Sequence, residues 1–525
     1  MKKHIISLLF FVVCAGQFSC KKFLNVTPLD KLSGVNFWQS RADVEAFSTS
    51  LYAIMRSKLT STAFIPATGE LRSGQILPTI INNSNSGGEK NIRLVYNQFA
   101  VNNLQRNASG VLDVTKPWNP ATGSNLVFNF TSITKWTEFY SAIQGANIMF
   151  DRVTKGVPGL SEQEKRQYLA EAAFIRCFAY FTMVRVFGDV VYYIDPYERT
   201  PLPRENFVSV INKCIADLKS HKDNLPLIYS DPALKTIRAT RGAALSLLMN
   251  MNMWNAGFDK ANAITYWQET ETLGDELIKA DIYSLVPIEE FERVMRGRSE
   301  ETIFEFGQSI NYAPNPLPTN FFRAFFGEMM LRTPNKGANG DNNSSHAYFR
   351  ADYLTSLYAG GPDKRRDLWF DSFMLSESGN FQLLKFQGII NSSVTNNPNA
   401  IPEWSLVMSR LAEVILLRAE ALANLGTEGT AISMLNMVRN RAGAPDYSGP
   451  GGEHLKDEIF IERSKELMGE GHLYFDLVRT GRIMDGNWVP NPLSADQFER
   501  GAWTWPIDVN ALYNNPFMQL NSYWQ

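Results

Sequence analysis

Cysteine is almost missing from this chain, with four in 525 residues. That excludes a disulfide-framed fold, which needs paired cysteines at short spacing. An excess of one charge is missing too. Lys and Arg number 51 against 53 Asp and Glu, a net charge of −2, so there is no basic surplus to grip nucleic acid. Histidine is scarce. Beyond the N-terminal leader only His221, His346, His454 and His472 remain, none in HExxH spacing. CxxC, GxSxG and the Walker loop do not occur, which leaves no compact catalytic, redox or phosphate motif. The one long apolar run, Ile5–Ala15, falls short of the ~20 residues a membrane-spanning helix needs.

What that run does offer is a leader. Lys2 and Lys3 precede it and Ser19-Cys20 follows it. A basic start, a short apolar stretch and a small residue before cysteine predict a lipoprotein signal over 1–19. Acyl groups on Cys20 would then hold the chain through a tether over 20–36. Cys14 leaves with the leader. Cys177 and Cys214 stand in helix-like text and read as small buried apolar residues, with a disulfide between them left open.

Hydrophobic residues make up 44% of the chain, enough for a large core. Apolar residues recur at helical spacing over 43–56, 135–153, 164–189, 205–226, 239–257, 264–280, 410–426 and 427–445. Three of these helices close near a glycine (Gly188, Gly257, Gly426), and a second helix follows each. Neither member of such a pair can bury its apolar face alone. The expected fold is mostly α, a tetratricopeptide-like helix-pair scaffold with long irregular insertions. It divides into an N-terminal region over 37–235 and a C-terminal region over 236–525, together one compact domain.

The insertions, 60–129 and 302–403, are rich in Asn, Ser, Gly and Pro and broken by aromatics. Long loops inside a compact domain are usually functional. Sugar binding needs flat apolar faces for a pyranose and planar polar groups for its hydroxyls. Tyr96, Asn97, Trp118, Asn119, Tyr312, Asn320, Tyr348 and Trp369 are the ligand-contact candidates on that ground. Asp341, Asn343, Ser345 and Asp352 have calcium-loop spacing, but His346 stands where glycine is needed, so a solvated loop is expected and no metal or cofactor. The segment Ile459–Arg482 places Glu462, Glu466 and Glu470 at i, i+4 steps beside Arg463, on one helix face. Ser464 and Gly471 on the opposite face leave room for a close neighbour. Glu413 and Glu420 lie on another Arg-rich helix. Arg410, Arg418, Arg463 and Arg479 are natural partners for these acids, which read as structural ion pairs rather than catalytic residues.

The text of Ile459–Arg482 resembles the C-terminal signature of SusD/RagB-type nutrient-binding lipoproteins. CKKFLNVTPLD, FWQSRADVEAFSTSLYAIM, YLAEAAFIRCFAYFTMVRVFGDVVYY, TIFEFG, RLAEVILLRAEALANLG and the ending WPIDVNALYNNPFMQLNSYW resemble that family's pattern in the same order. The matching positions Glu420, Glu462, Arg463, Glu466, Glu470, Asp476, Arg479, Trp505 and Pro506 are implied to be structural. Lys21 and Lys22 depart from the acidic residues that many surface-exported relatives carry. The resemblance implies a lipid-anchored lid on a SusC-like TonB-dependent transporter in the outer membrane, facing the cell exterior. It implies capture of a glycan, or of a peptide or glycopeptide, without catalysis. An exported glycoside hydrolase and a protein-binding scaffold are the rival readings of the residues.

Overall fold

The computed structural model describes residues 37–60, 64–78, 131–307, 347–370, 383–386, 389–390, 401–402, 405–513 and 515–525. It is mostly helical. Helix α1 (Arg41–Thr60) is followed by the short α2 (Phe64–Gly69), then by α3 (Thr137–Lys155), α4 (Glu162–Phe187), α5 (Phe207–His221), α6 (Arg241–Phe258) and α7 (Ala263–Lys279). After the second irregular block come α8 (Leu411–Asn424), α9 (Glu428–Arg441), α10 (Glu453–Glu466) and α11 (Leu473–Arg479).

Caps show why several of these helices begin where they do. Ser161 and Glu164 form a reciprocal capping box at α4, the Asn206 side chain accepts from two backbone amides at α5, and Thr240 accepts from Ala243 at α6. Glycines mark the ends. Gly188 caps α4 at φ 71°, and Gly426 follows α8 at φ 76°. Gly257 instead lies inside α6, where an added Cβ would sit 2.2 Å from the Arg479 carbonyl oxygen. It is a helix-packing glycine rather than a stop.

The helices stack in sequence. α1 packs on α3, α3 on α4, α4 on α5, α6 on α7, and α8 on α9. α7 also packs on α8, which joins the two halves of the chain across the second irregular block. One hydrophobic core runs from Trp38 to Ile507.

Among the described residues the strands are few and short, all in antiparallel pairs. β1 (Ile76–Pro78) pairs β3 (Ala347–Phe349), β2 (Thr302–Phe306) pairs β6 (Leu406–Arg410), and β4 (Ile389–Ile390) pairs β5 (Ile401–Pro402). Cys177 and Cys214 are buried and free. The Cys177 thiol points at the Cys214 carbonyl oxygen, 3.4 Å away.

One expectation is corrected. Ile459–Arg482 is not a continuous helix, because α10 ends at Glu466 and α11 starts at Leu473. Gly469 and Gly471 take φ of 79° and 84° between them, which a right-handed helix cannot accommodate. Glu470 therefore belongs to a turn rather than to the helix face of Glu462 and Glu466. The close neighbour at Gly471 is real: it is the end of α2, where an added Cβ on Gly69 would lie 2.1 Å from the Gly471 oxygen.

Candidate functional site

The acids of the C-terminal segment are consumed by a buried lattice of charges. Arg410, the last residue of β6, donates from Nη1 to Glu301 and Glu466, each at 2.7 Å, and grips Glu470 with Nε and Nη2 at 2.9 and 2.7 Å. Arg365 donates to Glu466 at 2.9 Å and to Asp363 at 2.7 Å. Its Nη2 also stands 2.7 Å from Glu462 Oε1, at an angle outside hydrogen-bond geometry. Arg441 pairs with Glu466, and Lys385 donates to Glu470 at 2.6 Å. Burial pushes the Glu466 carboxyl up, but Arg441, Arg410 and Arg365 together hold it well below the usual range. Glu470 is brought to about 2 in the same way, with Arg410 and Lys385 overriding burial.

Farther along, Arg463 donates from Nε to Asp476 at 3.0 Å, and Arg479 bonds both Asp476 and Glu420. Trp505 and Pro506 are buried; Arg72 lies over the Trp505 ring and donates to the carbonyls of Ala502, Trp503 and Thr504. Among the anticipated arginines, Arg418 goes elsewhere, to Glu271 and Asp275 on α7. Arg365, Lys385 and Arg441 join from outside the anticipated set.

Of the ligand-contact candidates, Tyr96, Asn97, Trp118, Asn119, Tyr312 and Asn320 lie outside the described residues, as does Cys20. Tyr348 is in β3, opposite Leu77 of β1. Trp369 is corrected. It is 2% exposed, packs on Phe291 at 4.9 Å, and holds the Lys385 ammonium 4.4 Å from its ring centroid. A ring spent on the core and on a buried cation has no face left for a sugar. Asp352 of the calcium-like spacing is ion-paired with Arg350.

Sequence reasoning missed an open cleft of about 540 Å³ between the start of α3, residues 191–193 and the C-terminal segment 508–518. Its lining includes Lys135, Trp136, Tyr140, Tyr193, Asp508 and Asn510. The Tyr140 and Tyr193 rings stack at 6.0 Å and 16°, and Trp136 meets Tyr140 edge-on at 5.3 Å. The available signal was YYIDPY, an aromatic run straight after a helix stop.

Comparison with known proteins agrees with this architecture. A family model described as the SusD family matches residues 380–524, and one described as "Starch-binding associating with outer membrane" matches 67–252. The crystal structure of a SusD homolog from Bacteroides thetaiotaomicron is 34% identical, with a TM-score of 0.79 over 93% of this chain and 100% of that one. This chain belongs to the SusD family. SusD-like protein P25 of Formosa agariphila is similar at 24% identity over 93% of each chain. NanU of Bacteroides fragilis shares the fold, with a TM-score of 0.70 and 19% identity over 95% of this chain and 100% of that one.

Within this SusD-family fold, one titratable cluster faces a small, partly open cavity. Arg185 is sandwiched between the Phe181 and Phe475 rings at 4.4 and 4.6 Å, and burial pushes its guanidinium down to about 10. Glu413 accepts from Asn250 at 2.9 Å, and burial lowers the neighbouring His472 from its ordinary value. The cavity measures about 50 Å³, room for a few waters but well below the ~300 Å³ of small ligand pockets.

Proposed function

We propose that this protein captures oligosaccharide at the outer membrane and hands it, uncut, to a SusC-like TonB-dependent transporter. The observation that carries the reading is the match of residues 67–252 to a model described as starch-binding and outer-membrane associated, within a chain 34% identical to a SusD homolog along its length. The fate of the acids supports the absence of catalysis. Glycoside hydrolysis needs two carboxyl groups facing a sugar, and here Glu466, Glu470 and Glu420 are locked to buried cations. Acylated Cys20 would hold the chain at the membrane, on the exterior side. Glycan affinity would come from the aromatic and amide residues of the two irregular blocks.

The test is calorimetric titration of the mature protein with soluble polysaccharides, alongside product analysis after long incubation. Saturable binding without cleavage is expected. Binding of peptides and of no glycan would redirect the reading to a peptide importer. Released reducing ends would make the protein a hydrolase. Co-purification with a TonB-dependent barrel from detergent-solubilised outer membranes tests the hand-off.

A further inference from the structure

The cleft between α3 and the C-terminal segment is built as a rigid platform. The Tyr140 hydroxyl donates to the Val191 carbonyl at 3.0 Å and accepts from the Val191 amide at 2.9 Å. The Tyr180 hydroxyl holds Tyr193 in the same way, with the carbonyl and the amide each at 3.0 Å, and Asn147 donates to that carbonyl at 3.2 Å. The Tyr140 side chain and the Tyr193 backbone are therefore fixed before any ligand arrives, with the Tyr193 ring stacked on Tyr140, so little ordering is left to be done on binding. One face of the Tyr193 ring is covered by Tyr140. Its hydroxyl has no protein partner among the described residues.

The opposite wall is fixed as well. Asn515 donates to the Leu202 carbonyl at 2.7 Å and accepts from the Phe517 amide at 3.0 Å, so its side chain is spent on shaping the loop. Among the described residues the Asn510 side-chain amide is not spent: it is exposed at the rim, beside Asp508, whose carboxylate engages only the Asn510 backbone amide, at 2.8 Å. Lys135 is exposed on the near side and makes no ion pair among the described residues. A flat aromatic face, a free amide and a free phenol facing an open cleft of about 540 Å³ meet the two requirements of a pyranose: an apolar plane for its C–H face and planar polar groups for its hydroxyls.

We propose that this cleft is a second saccharide site, additional to the contacts expected of the irregular blocks, that takes one or two pyranose units of a longer chain. The inference rests on the glycan-capture reading and adds an anchor that would give a long oligosaccharide two points of attachment.

The test titrates wild type, Tyr193→Ala, Tyr193→Phe and Asn510→Ala with maltoheptaose, xylohexaose and laminarihexaose, and soaks crystals with the best binder. The expected result is sugar density between Tyr193 and Asn510. Tyr193→Ala should lose affinity on the order of tenfold, and Tyr193→Phe, which keeps the ring, should lose less. Asn510→Ala lies on the surface and should weaken binding without moving the thermal midpoint, which separates a contact role from a folding defect. Wild-type binding with all three variants unchanged and no density in the cleft would overturn this site and leave glycan capture standing. No binding of any oligosaccharide by the wild type would overturn both.

Discussion

Arg479 lies fork-to-fork on Glu420, with Nη1 on Oε1 at 2.5 Å and Nη2 on Oε2 at 2.7 Å, and so ties α11 to α8. Both side chains are buried. Removing one partner from such a pair costs far more than removing both, because the survivor is left charged and dry. Arg479→Leu is expected to cost about 3–5 kcal/mol in chemical denaturation. The double variant with Glu420→Leu should cost clearly less than the sum of the two singles. Additive losses would show that the pair is not energetically coupled.

Glu70 gives the fold an alkaline weakness. Its Oε1 accepts from the Gly471 amide at 2.7 Å, and burial pushes its carboxyl from 4.5 up to about 8. Folding therefore takes up a proton between those values. The stabilisation is full below pH 4.5 and is lost as pH rises through about 8. Glu305, raised to about 7 by burial, acts in the same direction. Glu470 and Asp476, both held at about 2 by cations that outweigh burial, act in the opposite one: their contribution is present above about pH 4 and lost as pH falls toward 2. Glu70→Gln keeps the acceptor for Gly471 and removes the titration. It should raise stability at pH 8 by about 4 kcal/mol relative to wild type, and change little at pH 4. An equal effect at both pH values would exclude the buried carboxyl as the cause.

The contact between Gly69 and Gly471 is backbone against backbone, so neither side can yield. Gly69→Ala should cost about 3 kcal/mol or prevent folding. Gly429→Ala is the control. It lies in α9 with nothing within 4 Å of the new Cβ, and it should raise stability by about 0.5 kcal/mol. Thermal melts of the two variants would be compared. A harmless Gly69→Ala would mean that α2 does not abut the turn after α10.

Trp369 belongs to the core. Trp369→Ala should cost about 3–5 kcal/mol while glycan affinity of the folded fraction stays unchanged. Weaker binding at unchanged stability would return Trp369 to the ligand site.

Much of the scaffold was legible in the text. The apolar spacing of α3, α4, α6 and α8 marks them as helices, because burial on one face imposes a period that does not depend on what covers it. The break after Glu466 was harder to see: Gly469 and Gly471 sit inside a good helical stripe, and only their positive φ angles reveal the turn. Trp369 was misread because an aromatic in irregular text looks the same whether it faces solvent or core. Tyr193 was missed for the same reason, in the other direction.

Local residue order thus determined the stacked helices and the pool of buried acids, since each depends on spacing within a few turns of chain. Which cation meets which acid was decided only in three dimensions. Arg365, Lys385 and Arg410 reach Glu466 and Glu470 from segments far away in sequence, and ion pairing depends on distance through space rather than along the chain. The cleft is tertiary for the same reason, because Tyr193 and Asn510 become neighbours only when the C-terminal segment folds back against α3.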